Sequence, residues 1–451
     1  MFENLPGFRS FYPEECSQRN YIFRLWRQSA IRFAFQEYDA PVLEALELFK
    51  EKSGEEITEQ LFWFTDKGGR EVALRPEMTP SLARLVGAKA ASLKRPVKWF
   101  SIGEQYRYER MQKGRLRAFY QFNVDIFGEP GCGADAELIA QCIETLRGFS
   151  LTANDVVVRL SDRELWLLFL RCYALEGDAV TPVLSIIDKM EREDPAKSIE
   201  KLTVHLGERA EHFFARTQEM SKLQDLDSIR RVLFRECEEQ SAADDVRNAI
   251  EERLQTWILL LKTLDSLGAS PWIRIDLGVV RGLAYYTGFV FEVFERTGKG
   301  RAIAGGGRYD HLVSKMGYND MPACGYAMGD VTLALLLEEK KLIPPLLHKP
   351  DVYLVISGDK ARNLMLGLAS ALRRVGIIVD YAIKEVGFGK QFKNATQSNA
   401  RIVGIMTDEG ASHKVLNVKD LSTGIEITVP FADSVACIQD ALREGITQPE
   451  L

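Results

Sequence analysis

The sequence has little with which to hold a metal. Its five histidines, His205, His212, His311, His348 and His413, include no H-x-x-x-H pair, so hydrolysis through a protein-held zinc has no support. Its seven cysteines, Cys16, Cys132, Cys142, Cys172, Cys237, Cys324 and Cys437, are scattered and never form C-x-x-C. Buried reduced thiols are therefore expected in place of a disulfide framework or a zinc site. No uninterrupted apolar run approaches the roughly 20 residues that a bilayer-spanning helix needs. The N-terminal text MFENLPGFRSFYPEE has neither a basic n-region nor an apolar h-region, and a cytoplasmic location is the expectation. Neither G-x-x-x-x-G-K-[ST] nor G-x-G-x-x-G occurs, which excludes two familiar ways of cradling phosphates.

What is present is ordinary in bulk and unusual in one place. The chain has 451 residues, 46% apolar and 27% charged, enough for two or three domains with their own cores. Its formal net charge is -6, yet between Lys94 and Arg117 there are eight Lys or Arg residues against two Glu. A positive island on an acidic chain points to a polyanion. The island lies in SIGEQYRYERMQKGRLRAFYQFNVDIFG, Ser101 to Gly128, whose two ends alternate apolar and polar residues around a basic middle marked by Gly114. That pattern predicts two antiparallel strands joined by a long loop. Arginine forks suit phosphate oxygens and the faces of Tyr106, Tyr108, Phe119 and Tyr120 suit a base. Taken alone, the residues also fit a solvated charged edge with half-buried rings.

The run RYERMQKGRLRAFYQFNVDIFG resembles motif 2 of the class II aminoacyl-tRNA synthetases, in the form found in histidyl-tRNA synthetases. The resemblance implies an α+β fold: an antiparallel sheet flanked by helices, a helical insertion and a C-terminal α/β anticodon-binding domain. Residues 1–160 and 271–339 are then two parts of a catalytic domain, 161–270 the insertion, 340–350 a proline-containing linker and 351–451 the anticodon-binding domain. Residues 1–16 read as extended, because PGFRSFYPEE carries two prolines and a glycine. Helical spacing begins at Gln18, and the text that follows, with Pro41, is similar to motif 1, which implies a homodimer.

Further motifs fit the same family. LRPEMTPSLARL resembles its R-P-E-x-T segment, which implies that Glu77 and Thr79 hold the amino group of the amino acid; the same residues could equally start a helix. RGLAYYTG resembles a histidine-specific motif usually written R-G-L-D-Y-Y, which implies that Arg281 stabilises the reacting phosphate and that Tyr285 and Tyr286 line the histidine pocket. Ala284 stands where many members have Asp. AIAGGGRYD matches a second such motif; its glycines are expected to let the backbone pass close to a ligand, with Arg308 and Tyr309 as supports.

The implied substrates are L-histidine, ATP with Mg²⁺ on its phosphates, and tRNA(His). Arg107 is assigned by motif position to the reacting phosphate, Phe119 to stacking on adenine, Glu109 to the adenine edge and Arg115 to ATP. Gln121 and Asp125 join Tyr286 in reading the imidazole; Asp125 stands where bacterial relatives often have the longer Glu. Gln112 and Lys113 are assigned to the tRNA acceptor end. No protein-held metal is expected. Motif 3 normally ends G-L-E-R-L, with an arginine on the terminal phosphate of ATP, but here the text is Gly329-Asp330-Val331-Thr332-Leu333. The arginine is missing, so either another basic residue, such as Arg115 or Arg117, takes that phosphate or ATP turnover is impaired. The same departure gives weight to one alternative, a non-catalytic histidine-binding regulatory subunit of ATP phosphoribosyltransferase. From DVYLVIS onward, strand candidates alternate with helices, which predicts a largely parallel sheet.

Overall fold

The alternation in the basic stretch becomes a hairpin of two ten-residue strands. The computed structural model describes residues 3–50, 60–190, 193–279, 286–298, 300–345 and 349–446. In it β5, Val97–Tyr106, pairs antiparallel with β6, Ala118–Phe127, from Val97 opposite Phe127 to Tyr106 opposite Ala118. The chain divides into two compact units, Met1–Leu346 and Leu347–Leu451.

In the first unit this hairpin sits within an eight-stranded sheet of order β1-β5-β6-β11-β10-β9-β7-β8. The other members are β1 Gln36–Glu37, β7 Val156–Asp162, β8 Ile273–Ile275, β9 Phe289–Glu295, β10 Ala304–Arg308 and β11 Ala323–Gly329. Only the edge pairs β1–β5 and β7–β8 are parallel; the interior is antiparallel throughout.

Because side chains alternate along a strand, the sheet has two faces of different character. Phe100, Phe122, Val124, Ile126, Tyr326 and Met328 point one way and are buried in the main apolar cluster. The helices Pro13–Arg32 and Cys132–Gly148 cover that face. Trp26 stacks on Phe122 with ring centroids 5.5 Å apart, and its indole N–H reaches Met328 Sδ at 3.2 Å. The first helix begins at Pro13, five residues before the expected start. Proline at the first helical position has no N–H to waste and a φ already suited to the helix, so PEE opens the helix instead of extending it.

A second, three-stranded sheet, β2 Leu43–Ala45, β4 Glu71–Leu74 and β3 Trp63–Thr65, carries the chain to Arg75. It leaves Val42, Leu43, Trp63 and Phe64 exposed. The helix Thr79–Lys89 follows and packs through Leu82 and Val86 against Phe127 and Tyr309.

Between β7 and β8 the described residues form six helices of ten or more residues, from Arg163–Cys172 to Asp244–Ser266. Asp162, fully buried, starts the first of them by accepting from the Glu164 N–H at 2.9 Å. The same carboxylate is gripped by Arg253 at 2.6 and 2.9 Å and by the Trp257 indole at 2.7 Å. One aspartate thus caps one helix and anchors another. These helices share the apolar cluster of the central sheet and have no separate core. All seven cysteines are free and five are buried; Cys172 and Cys237 stand with sulfurs 3.4 Å apart.

The second unit holds a five-stranded sheet of order β13-β12-β14-β15-β16, namely Val379–Tyr381, Val352–Ser357, Ile402–Thr407, Val415–Asp420 and Glu426–Pro430. It is mixed, not largely parallel: β12 runs parallel to β13 and β14, but β14–β15 and β15–β16 are antiparallel. Two reversals cause this: the short helix Asp408–His413, ended by Lys414 at a φ of +55°, turns the chain back into β15, and the turn at Gly424, with a φ of +77°, adds β16 as a hairpin.

Candidate active site

The second face of the large sheet is polar and small where the first is apolar. Gln105, Gln121, Asn123 and Asp125 lie on it, with Gly103 opposite Gln121, Gly325 opposite Asp125, Ala327 opposite Asn123 and Gly329 opposite Gln121. Small residues beside polar ones leave a floor with room above it. Both amide atoms of Gln105, Oε1 of Gln121 and Nδ2 of Asn123 are buried with no hydrogen-bond partner among the described residues. Buried polar atoms are nearly always satisfied, and leaving one unpaired costs about 1–3 kcal/mol. Several together on one face mark a surface that a polar ligand completes.

Asp125 is held in place at this floor. The Tyr309 hydroxyl donates to its Oδ1, and a Cβ on Gly325 would run into the carboxylate. Burial raises its pKa from the usual 3.8 to about 7, with the Tyr309 hydrogen bond acting in the opposite direction. Tyr286 is buried nearby and shares the packing cluster of Tyr309 and Phe127. The glycines of AIAGGGRYD lie inside β10. At Gly306 an added Cβ would strike the Gly325 carbonyl, and at Gly307 it would meet the Phe289 carbonyl at 2.7 Å and Tyr286 at 3.0 Å. Close strand and ring packing thus requires glycine at both positions.

The R-P-E-x-T segment approaches from the side. Arg75 is buried and donates to the carbonyls of Ala40 at 2.7 Å and Glu104 at 3.0 Å, which ties the segment to β5. Glu77 is buried, and Thr79 is the first residue of its helix, which has no side-chain cap. Arg107 donates to the Pro76 carbonyl at 2.9 Å and lies over the Phe119 ring at 5.6 Å. The structure thus brings Arg107, Phe119 and the Glu77 segment together.

The loop between β5 and β6 is tied down at several points. Arg117 and Ala118 donate their N–H groups to the Gly7 carbonyl, each at 3.1 Å, and the Arg117 guanidinium lies 4.1 Å from the Tyr108 ring centroid. Arg115 forms an ion pair with Glu109, whose carboxylate is therefore already engaged. Gln112 accepts from Arg301 at 2.9 Å, and Lys113 is exposed. At the motif 3 position, Asp330 opens the helix Asp330–Glu339, accepts from the Tyr120 N–H at 2.9 Å and pairs with Arg9 at 2.7 Å. Its desolvation, opposed by Arg9, raises its pKa.

Arg308 and Tyr309 are supports. Arg308 grips Asp135 through two nitrogens and also reaches Asp310 and the carbonyls of Glu129 and Gly131. His212, Glu236 and Glu239 form the one group among the described residues with metal-like spacing. Arg216 contacts Glu236 at 2.9 Å and Glu239 at 3.5 Å, so a guanidinium already balances that charge. Arg281 and Tyr285, with Ala284, lie outside the described residues. Sequence reasoning missed Arg75, Asp330 and Arg301. The first was visible as the R of R-P-E, whereas the other two meet partners 210 or 189 residues away and have no local signal.

The chain is similar to known proteins over nearly its whole length. The family model described as histidyl-tRNA synthetase matches residues 7–332, and one described as an anticodon binding domain matches 351–441. A histidine–tRNA ligase of Opitutus terrae is 51% identical, over 97% of this chain and 98% of that protein. The chloroplastic/mitochondrial histidine–tRNA ligase of Arabidopsis thaliana is 38% identical, over 95% and 85%. In fold, the crystal structure of a histidyl-tRNA synthetase from Nostoc sp. PCC 7120 superposes with a TM-score of 0.76 at 22% identity, covering 97% of this chain and 99% of that one. The chain belongs to the histidyl-tRNA synthetase family.

Proposed function

We propose that this chain is an ATP-dependent aminoacyl-tRNA ligase that activates histidine and passes it to tRNA(His). A carboxylate oxygen of histidine attacks the α-phosphorus of ATP, the bond to the bridging oxygen breaks, and pyrophosphate leaves. The second step transfers histidine from the adenylate to the 3′ end of the tRNA. The observation that carries this reading is the sheet face on which Gln121 Oε1 lies buried and unpartnered beside the pinned Asp125.

The division of labour follows from chemistry at each position. Glu77 and Thr79 supply acceptors for the ammonium, Gln121 bridges amino group and ring, and Asp125 with Tyr285 and Tyr286 reads the ring nitrogens. A site that leaves buried polar groups unpaired with the wrong side chain rejects it by about 10⁴ to 10⁵, which makes editing unnecessary. Phe119 stacks on adenine. Glu109, held by Arg115, presents its remaining acceptor capacity to the adenine edge. Arg107 and Arg281 stabilise charge at the α-phosphate, where such transfer needs positioning and electrostatics more than covalent help. The cationic side chains around the loop suit a polyphosphate and form no carboxylate cage, so Mg²⁺ fits as a passenger of ATP; bound there, it neutralises phosphate charge.

Gln112 and Lys113 contact the acceptor end, the helical segment 161–270 the acceptor arm, and the second unit the anticodon. A homodimer fits the exposed Val42, Leu43, Trp63 and Phe64, which a second copy would cover. The regulatory-subunit alternative has weaker support, since it accounts for neither Arg107 nor the anticodon-binding match.

Histidine-dependent ATP–pyrophosphate exchange, with the other amino acids as controls and tRNA(His) charging in parallel, tests the proposal. Exchange with histidine alone, followed by charging, is the expected result. Histidine binding without exchange would transfer the chain to the regulatory reading.

A further inference from the structure

The motif 3 helix reaches the site without its arginine, and an unassigned arginine, Arg301, packs against the loop that faces it. Thr332 stands where the motif has arginine. A Cβ placed on Gly114, at the tip of the loop, would stand 3.6 Å from Arg301 Cδ and 3.8 Å from Thr332 Oγ1. One point on the loop therefore touches both the residue that lost the charge and a residue that carries one.

Of the two arginines first expected to compensate, one is neutralised and the other is held by a ring and a backbone carbonyl. Arg115 is neutralised by Glu109, and Arg117 lies over Tyr108 with its Nε directed at the Glu109 carbonyl at 3.4 Å. Arg301 has a neutral partner, the Gln112 amide oxygen, and forms no ion pair among the described residues. Burial and the nearby Arg115 charge lower its pKa, with Glu109 acting weakly against them. Two guanidinium groups beside one carboxylate leave a net positive charge that an anion would relieve.

We propose that Arg301, from the segment that leads into β10, binds the β- and γ-phosphates of ATP in place of the missing motif 3 arginine. The charge has moved from a helix to the neighbouring strand's approach, and Gln112 orients its planar fork. Arg301 thereby stabilises the pyrophosphate as it leaves, and takes part in no proton transfer. This inference rests on the ligase reading above.

The test compares Arg301→Ala with the unsubstituted chain. In pyrophosphate exchange, kcat/KM for ATP is expected to fall about 100-fold, as for the loss of one preorganised charge at a reacting phosphate. In calorimetry, preference for ATP over AMP should collapse while AMP and histidine bind as before, which also establishes that the variant is folded. Arg301→Lys should recover part of the loss. Adding Thr332→Arg to Arg301→Ala should recover at least about tenfold, since it returns the charge to the motif position. Unchanged ATP preference, or an equal loss for ATP and AMP, would overturn the assignment. Absence of exchange in the unsubstituted chain would overturn the ligase reading, and the calorimetric comparison would still decide the role of Arg301.

Discussion

Arg308 and Arg107 are both drawn into the first unit, and their surroundings are opposite. Arg308 has two carboxylates, Asp135 and Asp310, and two backbone carbonyls. Arg107 has one carbonyl and the face of a phenylalanine, and no ion pair among the described residues. A buried charge must be compensated. At Arg308 the protein does this itself, and the result is a fixed joint between β10 and the start of the helix Cys132–Gly148. Arg107 is only half-buried, and on the proposed function a phosphate completes its surroundings. On that reading the contrast separates arginines that build the sheet from arginines that serve its polar face.

The contrast can be broken most forcefully at Asp135. Asp135→Ala would leave the Arg308 guanidinium without its main partner, at a cost of about 3–5 kcal/mol. A denaturant titration should show the midpoint falling sharply, whereas exchange per folded molecule should change little. Asp125→Asn sharpens the comparison from the other side. Folded Asp125 keeps its proton up to about pH 7, whereas the unfolded side chain releases it near 3.8. The folded state therefore binds more protons across that interval, and stability falls as pH rises through it. Asparagine has no charge to bury, so at pH 8 the variant should be more stable than the unsubstituted chain by roughly 1–3 kcal/mol, with the gap closing near pH 4. Its exchange activity should drop at the same time. Stability and activity moving in opposite directions would identify Asp125 as a functional charge. The smallest effect belongs to Lys113→Ala, exposed on the loop: tRNA(His) charging should weaken by a few-fold, about 1 kcal/mol, with exchange unchanged.

Much of this was legible in the sequence. The hairpin Val97–Tyr106 and Ala118–Phe127 followed from alternation, and its loop from a run of charge with one glycine. Asp125 and Gln121 were assigned by motif position, and the same alternation puts them on one face. Features set by distant partners were not legible. Nothing near Asp330 announces that it receives the Tyr120 N–H and Arg9, and nothing in GKGRAIA announces Gln112. The first helix was misjudged because Pro13 was read as a breaker where its position made it a starter. The C-terminal sheet was misjudged for two reasons: the helix between β14 and β15, Asp408–His413, is too short for a parallel crossover, and β16, Glu426–Pro430, is half exposed and lacks the apolar run of a central strand. The packing that requires glycine in β10 was not legible either, because sequence does not show that Tyr326 and the Gly325 carbonyl press against Gly306.

On the proposed function, Arg107, which has no ion pair among the described residues, serves the nucleotide. Histidine-dependent ATP–pyrophosphate exchange by Arg107→Ala tests it most directly. A loss of about 10²- to 10³-fold is expected in a variant whose denaturant midpoint is unchanged. Exchange retained within about threefold would contradict it, and would place Arg107 among the arginines that only build the sheet.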